Sequence, residues 1–92
     1  EADFAPRHNL DREALTRLFA WTEQDFDTRL QGSPIRRIGH ERWLRNIAIA
    51  LGNATTSPEV LAALNHRLEH PSPLVREHVA WALAQHRHQA NL

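Results

Sequence analysis

The chain has 92 residues, 41% hydrophobic and 24% charged, with eleven arginines balancing eleven acidic side chains. That length holds one small domain with a modest core, and the composition is that of a globular protein. No apolar run approaches the roughly 20 residues of a bilayer span, no signal-peptide pattern opens the chain, and the absence of cysteine excludes disulfides and thiolate-held metals within it.

Residues 1–10 contain Pro6 and no periodicity, and read as an extended linker from an upstream domain. Methionine is absent even at position 1, which also leads us to expect a piece cut from a longer chain. Asp11 is the expected N-cap of a first helix, in which Leu15, Leu18 and Phe19 recur at helical spacing. Thr22 and Asp25 form a capping-box pair for a second, with Phe26 and Leu30 as its apolar stripe and Gly32 as its stop. Ser33 and Pro34 then serve as N-cap and first helical residue of a turn, IRRI, that ends at Gly39.

A strong helix is predicted from His40 to Leu51, burying Trp43, Leu44, Ile47, Ala48 and Leu51 and capped by Asn53. Ser57-Pro58 opens the next, with Val60, Leu61, Leu64 and Leu68 facing inward. After the break HPSP, Ser72-Pro73 starts a last helix to about Gln85, with Val75, Val79, Ala80, Ala82 and Leu83 on its core face. The following HRHQANL reads as a frayed tail, so the helical domain is placed at 11–86 and the tail proper at 87–92. Nothing alternates with period two over a useful length. The expected fold is all-α, with about five helices.

Two segments repeat. IAIALGN at 47–53 matches VAWALAQ at 79–85, an offset of 32 residues that pairs Ile47 with Val79, Ala48 with Ala80, Ala50 with Ala82 and Leu51 with Leu83. Periods of this size mark stacked helical hairpins, each burying its inner face only against a neighbour. SPLVREHVAWAL resembles the second helix of a HEAT-like repeat, so a short HEAT-like array is the expected architecture.

Charge is uneven along the chain. Residues 1–31 carry four arginines against seven acids, a net of −3, whereas 32–53 carry four against Glu41 alone, a net of +3. The basic stretch GSPIRRIGHERWLRNIAIALGN, followed by VREHVAWAL and preceded by DFAPRH at 3–8, resembles the C-terminal region of bacterial epoxyqueuosine reductases. The resemblance covers most of the chain. It implies a cytoplasmic, monomeric parent oxidoreductase that uses cobalamin and two 4Fe-4S clusters to reduce epoxyqueuosine to queuosine in transfer RNA. It also implies that the cluster cysteines and cobalamin pocket lie upstream, in a redox domain of the same chain, and that this helical part is not itself catalytic.

Arg36, Arg37, Arg42 and Arg45 are the main candidates for binding. Arg42 and Arg45 are three apart on one helix, and the preceding turn brings Arg36 and Arg37 near. Such a cluster suits the phosphates of a transfer RNA anticodon arm, or else pairing with Asp11, Glu13, Asp25 and Asp27. Arg76 is a fifth RNA candidate, at a place where HEAT-like helices also use arginine to brace neighbouring repeats. His66, Glu69 and His70 match an H-x-x-E-H pattern, but Leu64 and Leu68 put both histidines on the outward face, with Pro71 directly after and no third ligand in view, so no metal is expected. His86 and His88 read as solvated. Trp21, Trp43 and Trp81 each fall among apolar residues at helical spacing and read as core, with stacking on nucleic-acid bases as the alternative. The competing function is a HEAT-like protein-interaction module without an enzymatic role.

Overall fold

The computed structural model describes residues 9–90, with side chains from Glu13 onward. It contains α1 (Asn9–Phe19), α2 (Glu23–Arg29), a 3-10 turn (Pro34–Ile38), α3 (His40–Gly52), α4 (Pro58–His66) and α5 (Pro73–Ala90). Strands are absent among the described residues. The fold is all-α, as its periodicity requires. α1 and α4 pack together, α3 and α5 pack together, and each pair covers the other. The thinnest dimension across Cα atoms, 16 Å, is that of two helix layers spaced about 8–10 Å apart.

Local chemistry sets most of the boundaries. The Thr22 hydroxyl accepts the Asp25 N–H at 3.1 Å while the Asp25 carboxylate accepts the Thr22 N–H at 3.2 Å, a complete capping box. Ser57 caps α4 through the Val60 N–H at 3.1 Å, and Ser72 caps α5 through the Val75 N–H at 3.3 Å. Asn53 closes α3, its backbone N–H reaching Ile49 and Ala50 carbonyls and its side-chain amide donating to Ile49 at 3.1 Å.

The core runs through Leu15, Phe19, Phe26, Trp43, Leu44, Ile47, Leu51, Val60, Leu64, Val75, Val79 and Ala82. Trp21 is half-buried and stacks on Trp43, with centroids 5.6 Å apart, while the Arg29 guanidinium lies over its ring at 5.4 Å. α3 and α5, the repeated segments, approach so closely that a Cβ on Gly52 would sit 2.5 Å from the Trp81 ring and 3.0 Å from the Ala82 backbone. Only glycine fits that crossing.

Several expected placements change. α1 already runs at Asn9, so Asp11 lies inside the helix rather than capping it, and residues 9 and 10 are helical. Residues 1–8, with DFAPRH at 3–8, fall outside the described residues. α4 stops at His66, and the turn that follows leaves Leu68 40% exposed instead of inward. α5 continues to Ala90, beyond Gln85, because His86 is buried and bonded to the end of α3. The buried stripe of α5 is Val75, Val79, Ala82 and His86, so Ala80 faces solvent and Leu83 is half-buried. Trp81, adjacent to that stripe, is 38% exposed rather than core.

Candidate nucleic-acid interface

The basic region is built on a short, stiff frame. Pro34 fixes the backbone at the start of the 3-10 turn, and the Ser33 hydroxyl accepts the Ile35 N–H at 3.2 Å. Ile35 packs against the core, which turns Arg36 and Arg37 outward. Gly39, at φ +86°, then redirects the chain into α3; its side is open, so the backbone angle rather than space demands glycine there. The new helix is tied back at once, since His40 Nε2 donates to the Trp21 carbonyl at 2.9 Å.

On this frame Arg36, Arg37 and Arg42 are exposed, and Arg45 is half-buried with its Nε donating to the Asn46 side chain at 3.0 Å. Arg36 meets Asp27 at 3.5 Å, but the two side chains are 49% and 50% exposed, so solvent screens the pair and it is worth about 0–1 kcal/mol. This is the one ion pair among the described residues, and Arg37 and Arg42 meet no carboxylate there. Arg36 and Arg37 line an open depression with Asp27, Gly32, Ser33 and Pro34, whereas Arg42 and Arg45 continue along α3. Arg76 lies elsewhere, at the start of α5. Its Nη1 donates to the His70 and Pro71 carbonyls at 2.7 and 2.9 Å, bracing the α4–α5 turn.

Behind this surface lies a polar junction that sequence reasoning did not foresee. Arg67, just past α4, donates to the Phe19 carbonyl at 3.2 Å and the Trp21 carbonyl at 2.9 Å, satisfying the exposed end of α1. Burial lowers its pKa from the ordinary value. The only sequence signal was a basic residue in a helix's last turn; that it serves another helix is a tertiary fact. His70 accepts the Ser72 N–H on Nδ1 at 3.1 Å, and the Ser72 hydroxyl bonds the Glu41 carboxylate at the start of α3. Burial, then the charges of Arg67 and His40, hold the His70 pKa below its ordinary value against the opposing pull of Glu41.

His66 ends α4 in solvent while His70 sits in the following turn with Nδ1 occupied, so the two imidazoles share no helical face. Among the described residues no group of three or more His, Cys, Asp or Glu side chains is arranged to hold a metal. Lacking cysteine, the chain has no thiolate for a 4Fe-4S cluster, and its residues do not fit that group. No described helix is long and apolar enough to cross a membrane.

A match to the family of HEAT repeats covers residues 36–92, more than half of the chain. The chain belongs to the HEAT-repeat family. Its two-layer packing and the α3–α5 correspondence are those of a HEAT-repeat array, and the basic frame opens the matched region. This HEAT-repeat chain is 63% identical over 86 residues to an epoxyqueuosine reductase of Xanthomonas campestris pv. campestris and 56% identical to one of Pseudomonas aeruginosa, each covering 94% of it. It is 56% identical to that of Escherichia coli K12 over 92% of its length. The chain spans about a quarter of these relatives, 24%, 24% and 22% respectively. No solved structure gave a significant match.

Proposed function

We propose that this chain is the carboxyl-terminal HEAT-repeat part of an epoxyqueuosine reductase, and that it holds the substrate transfer RNA by phosphate contacts on its anticodon arm. In this reading the whole enzyme is a cytoplasmic monomer, and cobalamin and both 4Fe-4S clusters belong to the redox domain that precedes this region. No residue here performs the reduction. The observation that carries the reading is the set of Arg36, Arg37, Arg42 and Arg45 on a rigid turn-and-helix frame, with a single screened carboxylate partner for the four among the described residues. Guanidinium groups presented in this way match phosphate oxygens in charge and fork geometry, and such contacts position a nucleic acid without reading its sequence. Arg76, pre-oriented by its two carbonyl bonds, is a fifth and more peripheral contact.

The test is a titration of the full-length protein with its transfer RNA at several salt concentrations. Replacing Arg36, Arg37, Arg42 and Arg45 by glutamine weakens binding and flattens the log–log salt slope by about 0.7–0.9 per lost contact. Undiminished affinity with an unchanged slope removes the RNA role from this surface. The family resemblance would stand in that event, and the region would then serve protein contacts.

A further inference from the structure

One aromatic side chain of the repeat remains outside both the core and the arginine cluster. Trp81 on α5 is 38% exposed and Ile49 on α3 is 37% exposed, and together with Glu77 and His78 they line a groove between the paired helices. The edge of the indole rests on Gly52, which fixes the ring against the end of α3. The α3 wall of the groove continues the basic stripe. Arg42, Arg45 and Ile49 are spaced three and four residues apart, on one face, and Ile49 lies about 6 Å along the axis from Arg45.

The polar part of the groove consists of acceptors. Glu77 is exposed and supplies a carboxylate. His78 donates from Nδ1 to the Leu74 carbonyl at 2.8 Å, which fixes the tautomer of the neutral ring and leaves Nε2 with a lone pair. An aromatic plate, an aliphatic wall and two acceptors beside a guanidinium stripe suit a planar, N–H-donating group attached to a phosphate chain. We infer that the Ile49–Trp81 groove is a stacking platform for one unpaired nucleobase of the RNA, selecting guanine, whose adjacent N1–H and N2–H donors match two acceptors, over uracil, whose single N–H lies between two carbonyls. The inference rests on the RNA-binding reading and adds to it a base-reading subsite, since phosphate contacts alone carry no sequence information.

Fluorescently labelled RNA hairpins test it against the full-length protein, one with an all-uridine loop and one with guanosines in that loop. The unmodified protein binds the guanosine loop more tightly. Trp81→Leu weakens its binding by about fivefold or more while leaving the salt slope unchanged, and Trp81→Phe retains most of the affinity, because stacking is lost in one and kept in the other. Glu77→Gln narrows the gap between the two hairpins. A melting curve by circular dichroism checks that each variant folds; should Trp81→Leu not fold, an unaltered guanosine preference in Glu77→Gln overturns the proposal by itself. If the arginine variant loses affinity while Trp81→Leu binds like the unmodified protein, the platform is wrong and the phosphate reading survives. If neither variant loses affinity, both readings fall. If Trp81→Leu alters the oligomeric state and leaves RNA affinity intact, the groove is a protein contact and the inference is overturned.

Discussion

The imidazole of His86 does for the end of α3 what water does for most helix ends. Its Nε2 donates to the Leu51 carbonyl at 2.7 Å, and its Nδ1 lies 2.7 Å from the Thr56 hydroxyl, which in turn reaches the Gln89 amide. At 2% exposure there is no solvent to replace these bonds. The Leu51 carbonyl also accepts the Ala54 N–H at 3.2 Å, so His86→Ala removes one of its two bonds and opens a cavity beside it, and we expect a loss of about 2–4 kcal/mol in urea unfolding. His70 makes the opposite kind of statement, because its folded pKa is lowered by burial and by Arg67. The unfolded chain therefore takes up the proton first as pH falls, so the stabilisation is complete above the ordinary histidine value of 6.5 and is lost below it, down to the folded value. Protonation would also remove the lone pair that accepts the Ser72 N–H. Comparing unfolding free energies of the unmodified chain and His70→Asn between pH 7.5 and 5 isolates this term from the other six histidines; a difference that does not change with pH would contradict the assignment.

At the level of the helix, burial follows which elements face each other, and sequence shows only part of that. Caps were legible because they are local: Thr22 with Asp25, Ser33 before Pro34, Ser57 before Pro58, and Asn53 all act within four residues. The core face of α3 was legible too, since one periodic stripe meets one neighbouring layer. α5 differs from expectation at Ala80, Trp81 and His86: Ala80 is placed by the repeat match, Trp81 by its helical spacing, and His86 by its position in the expected tail. The repeat match aligns residue types and places Ala82 correctly, but the helix is turned so that Ala80 faces solvent, while His86, beyond the matched segment, meets the end of α3. A histidine whose partners are a carbonyl 35 residues away and a threonine 30 away leaves no local trace. The same rotation yields a graded expectation for mutation. Leu51→Ala and Leu64→Ala, at fully buried sites, should each cost about 2–5 kcal/mol, and Leu83→Ala, half-buried, distinctly less. Equal losses at Leu51 and Leu83 in denaturant titrations would show the α5 register to be wrong.

Across the whole molecule, a neutral chain is divided into an acidic front and a basic middle, and the structure decides what that division does. Were the two regions folded to neutralise one another, the four arginines would be engaged by carboxylates of α1 and α2. Instead, among the described residues, the contact between them is mostly apolar, through Leu15, Phe19, Phe26 and Trp43, with Arg36–Asp27 as a screened pair at the rim. The acidic residues of α2 serve the helix itself: Glu23 and Asp25 stand in its first turn, where carboxylates favour the amide end of the dipole, and Asp25 completes the capping box. Sequence could reveal the asymmetry of charge but not this division of labour, because pairing depends on side-chain reach across the layers. Replacing Arg36, Arg37, Arg42 and Arg45 together by glutamine should therefore change the unfolding free energy by no more than about 1 kcal/mol, the worth of one exposed pair. Low salt sharpens the test, since any broader attraction between the acidic and basic halves is least screened there. A loss of several kcal/mol that shrinks as salt is added would mean that these arginines hold the fold together; near-constant stability leaves the positive surface free for an anionic partner.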